Sequence, residues 1–333
     1  MGTNRRIDVS PEVRLHVVSG KGGTGKTTVA AALALGLAAR GKKVLLLEVE
    51  GRQGLAPLFD AASLSYSETR VALTPAGGEV HAVAVDVEQA LLEYLEMFYN
   101  LRRAGSALRR MGAIDFATTV APGLRDVLLT GKAIEAVKRM KDGHPVFDAV
   151  VLDAPPTGRV TRFLNVSSDV AGIARVGPIR AHADSVMGVL RSPRTAVHLV
   201  ALLEEMPVQE TLDAIESLRE VDLPVGSIIV NMIRRPLLTD TELAAARLGV
   251  LDHDQVTEQL LQVLPPHTQP AAVVASALLA EAADHAMRVE QEDDQRLLLG
   301  RSGRPTVELP FLSSGIDLGA LYELGELLCG SDD

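Results

Sequence analysis

A glycine-rich loop between an apolar strand and an apolar helix constrains the fold of this 333-residue chain more than any other feature. Residues 15–37 read LHVVSGKGGTGKTTVAAALALGL, and the pattern G-x-x-x-x-G-K-[ST] runs from Gly20 to Thr27. Its glycines let backbone N–H groups approach phosphate oxygens at a helix N-terminus, its lysine reaches the terminal phosphates, and its threonine hydroxyl ligates Mg²⁺. The loop therefore predicts a site for the phosphates of a nucleotide and its Mg²⁺.

A second apolar stretch, residues 146–152, predicts a buried strand that ends at Asp153. A carboxylate in this place can hold a Mg²⁺-bound water. Thr27 and Asp153 are therefore the candidate metal ligands, and Lys26 and Asp153 are candidate catalytic residues. The loop contributes the following candidate nucleotide-binding residues: Gly20, Lys21, Gly22, Gly23, Thr24, Gly25, Lys26, Thr27 and Thr28.

The stretch KVLLLEVE at residues 43–50 predicts a further strand. Alternation along a strand puts Glu48 and Glu50 on one face, near the C-terminal end of the strand. Open α/β sheets bind their ligands at this end of the strands. Both glutamates are therefore candidates for the site.

Charge and composition exclude several classes of protein. A formal charge of −10, 3% aromatic residues and no tryptophan argue against a nucleic-acid partner, which requires basic patches and stacking rings. The longest apolar run is too short to span a bilayer, and residues 1–12 lack the apolar core of a signal peptide. We therefore expect a cytoplasmic protein without a direct membrane span. The single cysteine, Cys329, rules out an intrachain disulfide.

Two strings of sequence resemble those of one ATPase family. The form K-G-G-x-G-K-T-T, with its additional Lys21, is similar to the deviant P-loop shared by the ArsA-like, Min/Par and nitrogenase iron proteins. DAPPTGRVTRFL at residues 153–164 resembles the switch of the ArsA-like ATPases, which include the arsenical-pump and tail-anchored-protein-targeting enzymes. The resemblance covers nearly the whole chain. It implies binding and slow hydrolysis of Mg-ATP to ADP and phosphate, which drives a dimer between open and closed states to act on a client protein or a membrane transporter.

The resemblance also implies roles for individual catalytic candidates. In that family the additional lysine, here Lys21, crosses the dimer interface to the partner's nucleotide; the alternative is that it only solvates an exposed loop. Glu50 falls on the position of an aspartate that orients the attacking water, and it could position water or only line the pocket. Arg159 replaces the usual histidine, and it could contact phosphate, pair with a neighbouring subunit or face solvent.

The resemblance places the base of the nucleotide at two further positions. Asn231 corresponds to an asparagine that reads adenine, and a carboxamide offers the donor and the acceptor that a purine edge requires. The alternative is a strand-ending asparagine in a turn. Pro310 and Phe311 correspond to residues that pack on the adenine. Because the chain contains no N-K-x-D string, we expect adenine rather than guanine.

Strands that alternate with helices predict an α/β fold with a doubly wound, mainly parallel sheet. We expect a single ArsA-like P-loop ATPase domain over residues 1–333, with a helical subdomain within about 87–141 and 165–194. The cluster Arg102, Arg103, Arg109 and Arg110 indicates a solvated helix face or, alternatively, an anionic partner. Met97, Met111 and Met140 indicate core packing or, alternatively, a groove for a client.

Three functions remain open from the sequence. One is the ATPase described above. Another is a scaffold subunit that binds nucleotide and hydrolyses it weakly, and the third is a Min/Par-type positioning ATPase, which the acidic C-terminus disfavours. The dimer could pair this chain with a second ArsA-like subunit or with a copy of itself. The chain lacks the CxxC motif of the targeting ATPase's zinc clasp, as well as a three-cysteine arsenite site.

Overall fold

The computed structural model describes residues 6–51, 53–99, 123–173, 178–265 and 270–330. Its centre is an eight-stranded sheet with the strand order β10-β9-β8-β1-β7-β2-β4-β3. Seven strands are parallel, and β3 alone runs antiparallel, beside β4 at the sheet edge. The strands of this sheet are β1 (Leu15–Gly20), β2 (Lys43–Glu48), β3 (Thr69–Leu73), β4 (Glu79–Ala84), β7 (Ala149–Asp153), β8 (Thr195–Ala201), β9 (Val225–Ile233) and β10 (Thr306–Pro310).

A two-stranded hairpin and ten α-helices accompany this sheet in the described residues. The hairpin pairs β5 (Met140–Lys141) with β6 (His144–Pro145), and a short 3₁₀ helix covers Pro57–Phe59. The α-helices are α1 (Lys26–Ala39), α2 (Val87–Tyr99), α3 (Leu124–Lys138), α4 (Thr157–Ile173), α5 (Pro178–Leu190), α6 (Glu205–Glu220), α7 (Asp240–Leu248), α8 (His253–Val263), α9 (Ala271–Gly300) and α10 (Leu318–Cys329). The predicted doubly wound, mainly parallel α/β fold is confirmed.

The sheet is buried on both faces, as a parallel sheet must be when helices cover each side. Alternate residues of β2 enter two different apolar cores: Leu45 and Leu47 join one, while Val44 and Leu46 join the other. This is the reason that KVLLLE reads as a nearly continuous apolar run. The sheet therefore forms a rigid platform for the loops at its carboxyl edge.

Helix α1 is apolar on every side because it is buried on every side. It lies between the sheet and α10. The two helices approach closely at Gly36 and Gly325, where a Cβ added to Gly36 would lie 2.5 Å from the carbonyl oxygen of Gly325. This packing fixes the direction of α1, and with it the position of the loop that precedes the helix.

Two histidines meet inside the sheet, on the neighbouring strands β1 and β8. Nδ1 of His16 lies 3.1 Å from Nε2 of His198, and Nδ1 of His198 accepts a hydrogen bond from the Ser227 backbone N–H at 3.2 Å. Burial lowers the pKa of His198 to about 4 and moves the pKa of His16 well below its ordinary value. Both rings are therefore neutral in the folded chain near neutral pH.

The predictions for the helical segments are tested only in part. Helices occupy residues 87–99 and 124–138, but the four arginines and Met111 lie outside the described residues, and so does the Met97 side chain. Met140 lies in β5 and is exposed. The domain boundaries remain a prediction. Within the described ranges, no helix combines the length and the apolarity needed to cross a membrane.

Candidate nucleotide-binding site

The candidate site lies at β1, between the parallel strands β7 and β8, where the order of strands in the sheet switches from one side of β1 to the other. Open α/β sheets bind ligands at such a switch point, beyond the carboxyl ends of the strands. The parallel register pairs Val18 of β1 and Glu48 of β2 with Asp153 of β7. The phosphate loop, Asp153 and Glu48 therefore meet at one edge of the sheet.

The phosphate loop needs glycine where it enters α1. Gly25 has φ of 85°, in the left-handed region that other residues rarely adopt. A Cβ added there would also lie 2.4 Å from Nδ2 of Asn231. Lys26 is the first residue of α1 and is buried, so its cation acts at the helix N-terminus, where anions are favoured.

Thr27 and Asp153 are in direct contact. The Thr27 hydroxyl donates a hydrogen bond to Oδ2 of Asp153 at 2.7 Å, whereas Oδ1 is buried and has no hydrogen-bond partner. Burial raises the pKa of Asp153 to about 6, against the lowering effects of the Thr27 hydrogen bond and the Lys26 charge. A hydroxyl beside a carboxylate with an unsatisfied oxygen is a site that a divalent cation would complete.

These two residues fit Mg²⁺, which is commonly held by one or two protein oxygens while water and phosphate oxygens complete its shell. In the part of the chain that the structure describes, no group of three or more His, Cys, Asp or Glu side chains could hold a metal ion. A cation at Thr27 and Asp153 would therefore depend on the nucleotide for further ligands.

The structure separates the two glutamates of the β2 segment. Glu48 ends β2 and is buried, and its carboxylate accepts hydrogen bonds from the backbone N–H groups of Gly54 at 3.0 Å and Leu55 at 3.4 Å. Glu48 therefore holds the loop that follows β2. A Cβ added to Gly54 would lie 3.3 Å from Cγ2 of Thr27, so this loop rests on a candidate metal ligand.

Glu50 lies beyond the end of β2, within that loop. Its Oε1 is 4.0 Å from a guanidinium nitrogen of Arg159, and the Arg159 side chain is 60% exposed. Arg159 belongs to the first turn of α4, directly after the β7 segment. The contact therefore joins the loop after β2 to the switch segment after β7. The sequence left three possibilities for Arg159, namely phosphate, a neighbouring subunit or solvent, and the structure adds a fourth, a partner within the same chain.

Lys21 also has a partner in its own chain. Its Nζ lies 3.1 Å from Oε1 of Glu210 on α6, and Oε2 of Glu210 accepts a hydrogen bond from the Thr157 hydroxyl at 3.1 Å. Thr157 is the first residue of α4. One carboxylate thus connects the phosphate loop with the switch helix. The sequence did not indicate Glu210, which is one of several acidic residues on an amphipathic helix.

Asn231 lies within β9, and not in a turn after the strand as one of the two sequence readings had it. It is buried, and its Nδ2 donates a hydrogen bond to the Thr24 carbonyl oxygen at 2.9 Å. The carboxamide is therefore packed against the phosphate loop. It also contributes to the wall of a cavity of about 530 Å³ beside that loop.

That cavity is the candidate base pocket. Phe311 lines it, and the guanidinium of Arg234 lies over the Phe311 ring, 4.7 Å from the ring centre. Pro310 ends β10 next to Phe311. Helix α9 supplies the opposite wall through Arg288 and Glu292. Arg234 and the α9 residues were not predicted. Arg234 directly follows β9, and α9 reaches the pocket through its packing against other helices, among them α6.

Comparisons with known proteins agree on one relationship. Residues 13–191 match the family model described as anion-transporting ATPase, ArsA_ATPase. The chain is 54% identical to ATPase BagA of Mycobacterium tuberculosis over 317 residues, which cover 95% of this chain and 92% of the relative. More distant relatives are a putative arsenical pump-driving ATPase 2 of Aquifex aeolicus, 24% identical over 66% of this chain and 80% of the relative, and ATPase GET3 of Kluyveromyces lactis, 25% identical over 65% and 71%.

Proposed function

Because this chain belongs to the ArsA family of anion-transporting ATPases, as its P-loop and switch motifs predict, we propose that it binds Mg-ATP at residues 20–28 and hydrolyses it to ADP and phosphate. The observation that carries the proposal is the contact between Thr27 and Asp153, with an unsatisfied carboxylate oxygen beside the phosphate loop. A catalytically inert glycine-rich turn would not need a buried carboxylate at this point.

Each residue of the loop has a separate task in this proposal. Lys26 neutralises charge on the terminal phosphates from the start of α1, and the backbone N–H groups of the loop bind their oxygens. Thr27 and Asp153 would hold Mg²⁺, which would supply positive charge to offset the charge that develops on the phosphate oxygens. Thr157 begins the switch helix, whose position reports the presence of the terminal phosphate.

Glu50 is the proposed residue that orients the attacking water. The Glu50 side chain is one methylene longer than the aspartate that it replaces. Its contact with Arg159 limits the direction in which the carboxylate points. A carboxylate near the γ-phosphate can accept a hydrogen bond from water and aim its lone pair at phosphorus. The alternative role, lining the pocket, predicts that replacement of Glu50 leaves turnover unchanged.

We also propose that the chain works as a dimer in which Lys21 reaches the partner's nucleotide. A mobile cation at the interface can stabilise charge on the phosphates as they separate. The partner is a second ArsA-like subunit that retains the aspartate loop, and the competing arrangement is a homodimer in which Glu50 suffices. The dimer's opening and closing would then act on a client protein or a membrane transporter.

A weakly hydrolysing scaffold subunit is the second candidate function. It is favoured by one observation, the contact of Glu50 with Arg159, because a carboxylate that stays paired is less able to direct water. Transport of arsenite bound to a cysteine triad does not suit this chain, although one relative's name refers to an arsenical pump. The only cysteine, Cys329, is buried against α1 and cannot form such a triad.

Calorimetric titration of the purified chain with Mg-ADP and with a slowly hydrolysed ATP analogue tests the binding step. We expect saturable binding to the unmodified chain and a loss of about 100-fold or more in Lys26→Ala, because a buried cation facing phosphate is removed. An exposed control, Lys141→Ala on β5, should bind normally. Equal binding to Lys26→Ala and the unmodified chain would place the nucleotide elsewhere.

A further inference from the structure

The carboxylate of Glu210 contacts both moving parts of the proposed site. One oxygen lies 3.1 Å from Nζ of Lys21 in the phosphate loop, and the other accepts the Thr157 hydroxyl at 3.1 Å. Both oxygens are thus engaged, one by each segment that must respond to the terminal phosphate.

Glu210 acts from a fixed support. Helix α6 is held on the sheet by a row of buried residues that includes Val208, Ile215 and Leu218, and Thr211 hydrogen-bonds back to the Pro207 carbonyl oxygen within the helix. The carboxylate therefore projects from an element that packing holds in place. The phosphate loop and the start of α4 are the parts that can move relative to it.

The ion pair between Lys21 and Glu210 is weak enough for another anion to replace Glu210. The side chains of Lys21 and Glu210 are 32% and 34% exposed, and ion pairs of that exposure contribute little to stability. In the proposed dimer, the terminal phosphate of ATP bound by the partner carries more negative charge than a carboxylate, so it competes with Glu210 for the Lys21 ammonium. Glu210 then loses its cation and is repelled by the approaching phosphate. The carboxylate moves away from the phosphate, and this displacement breaks its hydrogen bond with Thr157.

We propose that Glu210 is a positioning residue that holds Lys21 and Thr157 together in the nucleotide-free chain and releases both when the terminal phosphate arrives. The proposal deepens the proposed function and rests on it. ADP, which lacks that phosphate, leaves the Glu210 contacts in place. The carboxylate therefore makes the loop and the switch helix respond together, and to ATP more than to ADP.

The first test compares affinities for ATPγS and for ADP. Glu210→Gln keeps the shape of the side chain and removes its charge, so ATPγS should bind about two- to fivefold more tightly while ADP binding changes little. The matched control is Glu216→Gln, an exposed glutamate on the same helix, which should change neither affinity. Equal effects of the two substitutions, or an equal gain for both nucleotides, would overturn the proposal.

The second test asks whether the effect passes through Lys21. In a Lys21→Ala background, Glu210→Gln should no longer change the ratio of the two affinities, because the cation for which carboxylate and phosphate compete is gone. A gain that persists in this background would overturn the proposal. If the unmodified chain binds neither nucleotide, the proposed function itself has failed, which is a different outcome from normal binding without an effect at Glu210.

The third test follows the switch segment by hydrogen exchange of the backbone amides at residues 157–161. Without nucleotide, Glu210→Gln should exchange there about two- to fivefold faster than the unmodified chain, because the Thr157 contact is weakened. With saturating ATPγS the two proteins should exchange alike. The same rates without nucleotide would show that Glu210 does not restrain the switch helix.

Discussion

The hydroxyl of Thr27 donates a hydrogen bond to Oδ2 of Asp153 at 2.7 Å, across 126 positions of sequence. Thr27 is the second residue of the helix after β1, and Asp153 ends the neighbouring strand β7. The second carboxylate oxygen is buried without a hydrogen-bond partner. In the absence of a cation, this carboxylate is therefore a cost to the folded state that binding can offset.

The first prediction concerns that cost. Burial raises the pKa of Asp153 to about 6, so between its ordinary pKa and pH 6 the folded chain keeps a proton that the unfolded chain loses. The contribution of Asp153 to the free energy of unfolding is therefore favourable below its ordinary pKa and is lost as pH rises through 6. At pH 7.5 without Mg²⁺, Asp153→Asn should therefore raise the free energy of unfolding by about 1–3 kcal/mol. Denaturant titration measures it.

Two comparisons sharpen this prediction. Asp213→Asn, an exposed control on α6, should change the free energy of unfolding by less than about 0.5 kcal/mol. Added Mg-ATP should stabilise the unmodified chain and should leave Asp153→Asn nearly unchanged. A variant that is less stable than the unmodified chain without Mg²⁺ would contradict the assignment of Asp153 as a desolvated ligand.

The second prediction concerns the two histidines inside the sheet. In the unfolded chain His198 binds a proton below about pH 6.5, whereas in the folded chain it stays neutral until about pH 4. The buried pair therefore lowers the free energy of unfolding as pH falls from 6.5 to 4. His198→Asn retains an acceptor for the Ser227 N–H and does not titrate. The variant should remove up to about 3 kcal/mol of that pH dependence.

Unfolding curves at several pH values between 4 and 7 measure the difference. Asp153 acts with the opposite sign in part of this window, but it is unchanged in the variant and cancels in the comparison. The exposed His144→Asn serves as the control and should show the slope of the unmodified chain. Identical slopes in His198→Asn and the unmodified chain would rule out the buried pair as the cause.

The sequence predicted the parts of the site that local chemistry determines. The loop pattern identified Thr27, the apolar strand identified Asp153, and the parallel arrangement of β1 and β7 then required them to meet. Contacts between distant elements were not predictable in this way. Glu210 meets Lys21 only because α6 packs beside β8, and a period of 3.6 residues does not single out one of its several glutamates.

The sequence also did not predict where the strands end. The alternation in KVLLLEVE treats Glu48 and Glu50 as equivalent, but β2 ends at Glu48, which turns inward to hold the following loop. Asn231 likewise lies inside β9, which continues to Ile233, and does not lie in a turn at the strand's end. The antiparallel edge strand β3 was missed because its residues are only partly buried and lack a clear apolar pattern.

The third prediction separates the two lysines of the loop. Lys21→Ala should retain nucleotide binding within a few-fold and lose most turnover, because its proposed task is at the partner's nucleotide. Lys26→Ala should lose both. Calorimetry and a phosphate-release assay on the same preparations decide it. Equal loss of binding in both variants would show that Lys21 belongs to the local phosphate cradle.

The fourth prediction concerns the partner. If a second ArsA-like subunit completes the site, the isolated chain should turn over slowly at every concentration and should gain activity with an aspartate-bearing partner. Specific activity should be measured against protein concentration, with Glu50→Gln alongside. Robust activity that rises with self-association and disappears in Glu50→Gln would instead establish a catalytic homodimer.

The fifth prediction concerns the base. ATP should compete more strongly than GTP, and Asn231→Ala should narrow that preference. Because Asn231 also holds the Thr24 carbonyl oxygen, the variant should weaken both nucleotides by about three- to tenfold. Phe311→Ala should weaken ATP binding without loosening the phosphate loop. Stronger competition by GTP with the unmodified chain would contradict the assignments of Asn231, Pro310 and Phe311.

Phosphate release from Mg-ATP by the purified chain, with Lys26→Ala measured in parallel, tests whether the chain hydrolyses ATP at its phosphate loop. We expect slow release that requires Mg²⁺, saturates with ATP and falls to background in Lys26→Ala. Release at the same rate in both proteins, or release that persists after Mg²⁺ is chelated, would contradict ATP hydrolysis at the loop of residues 20–28.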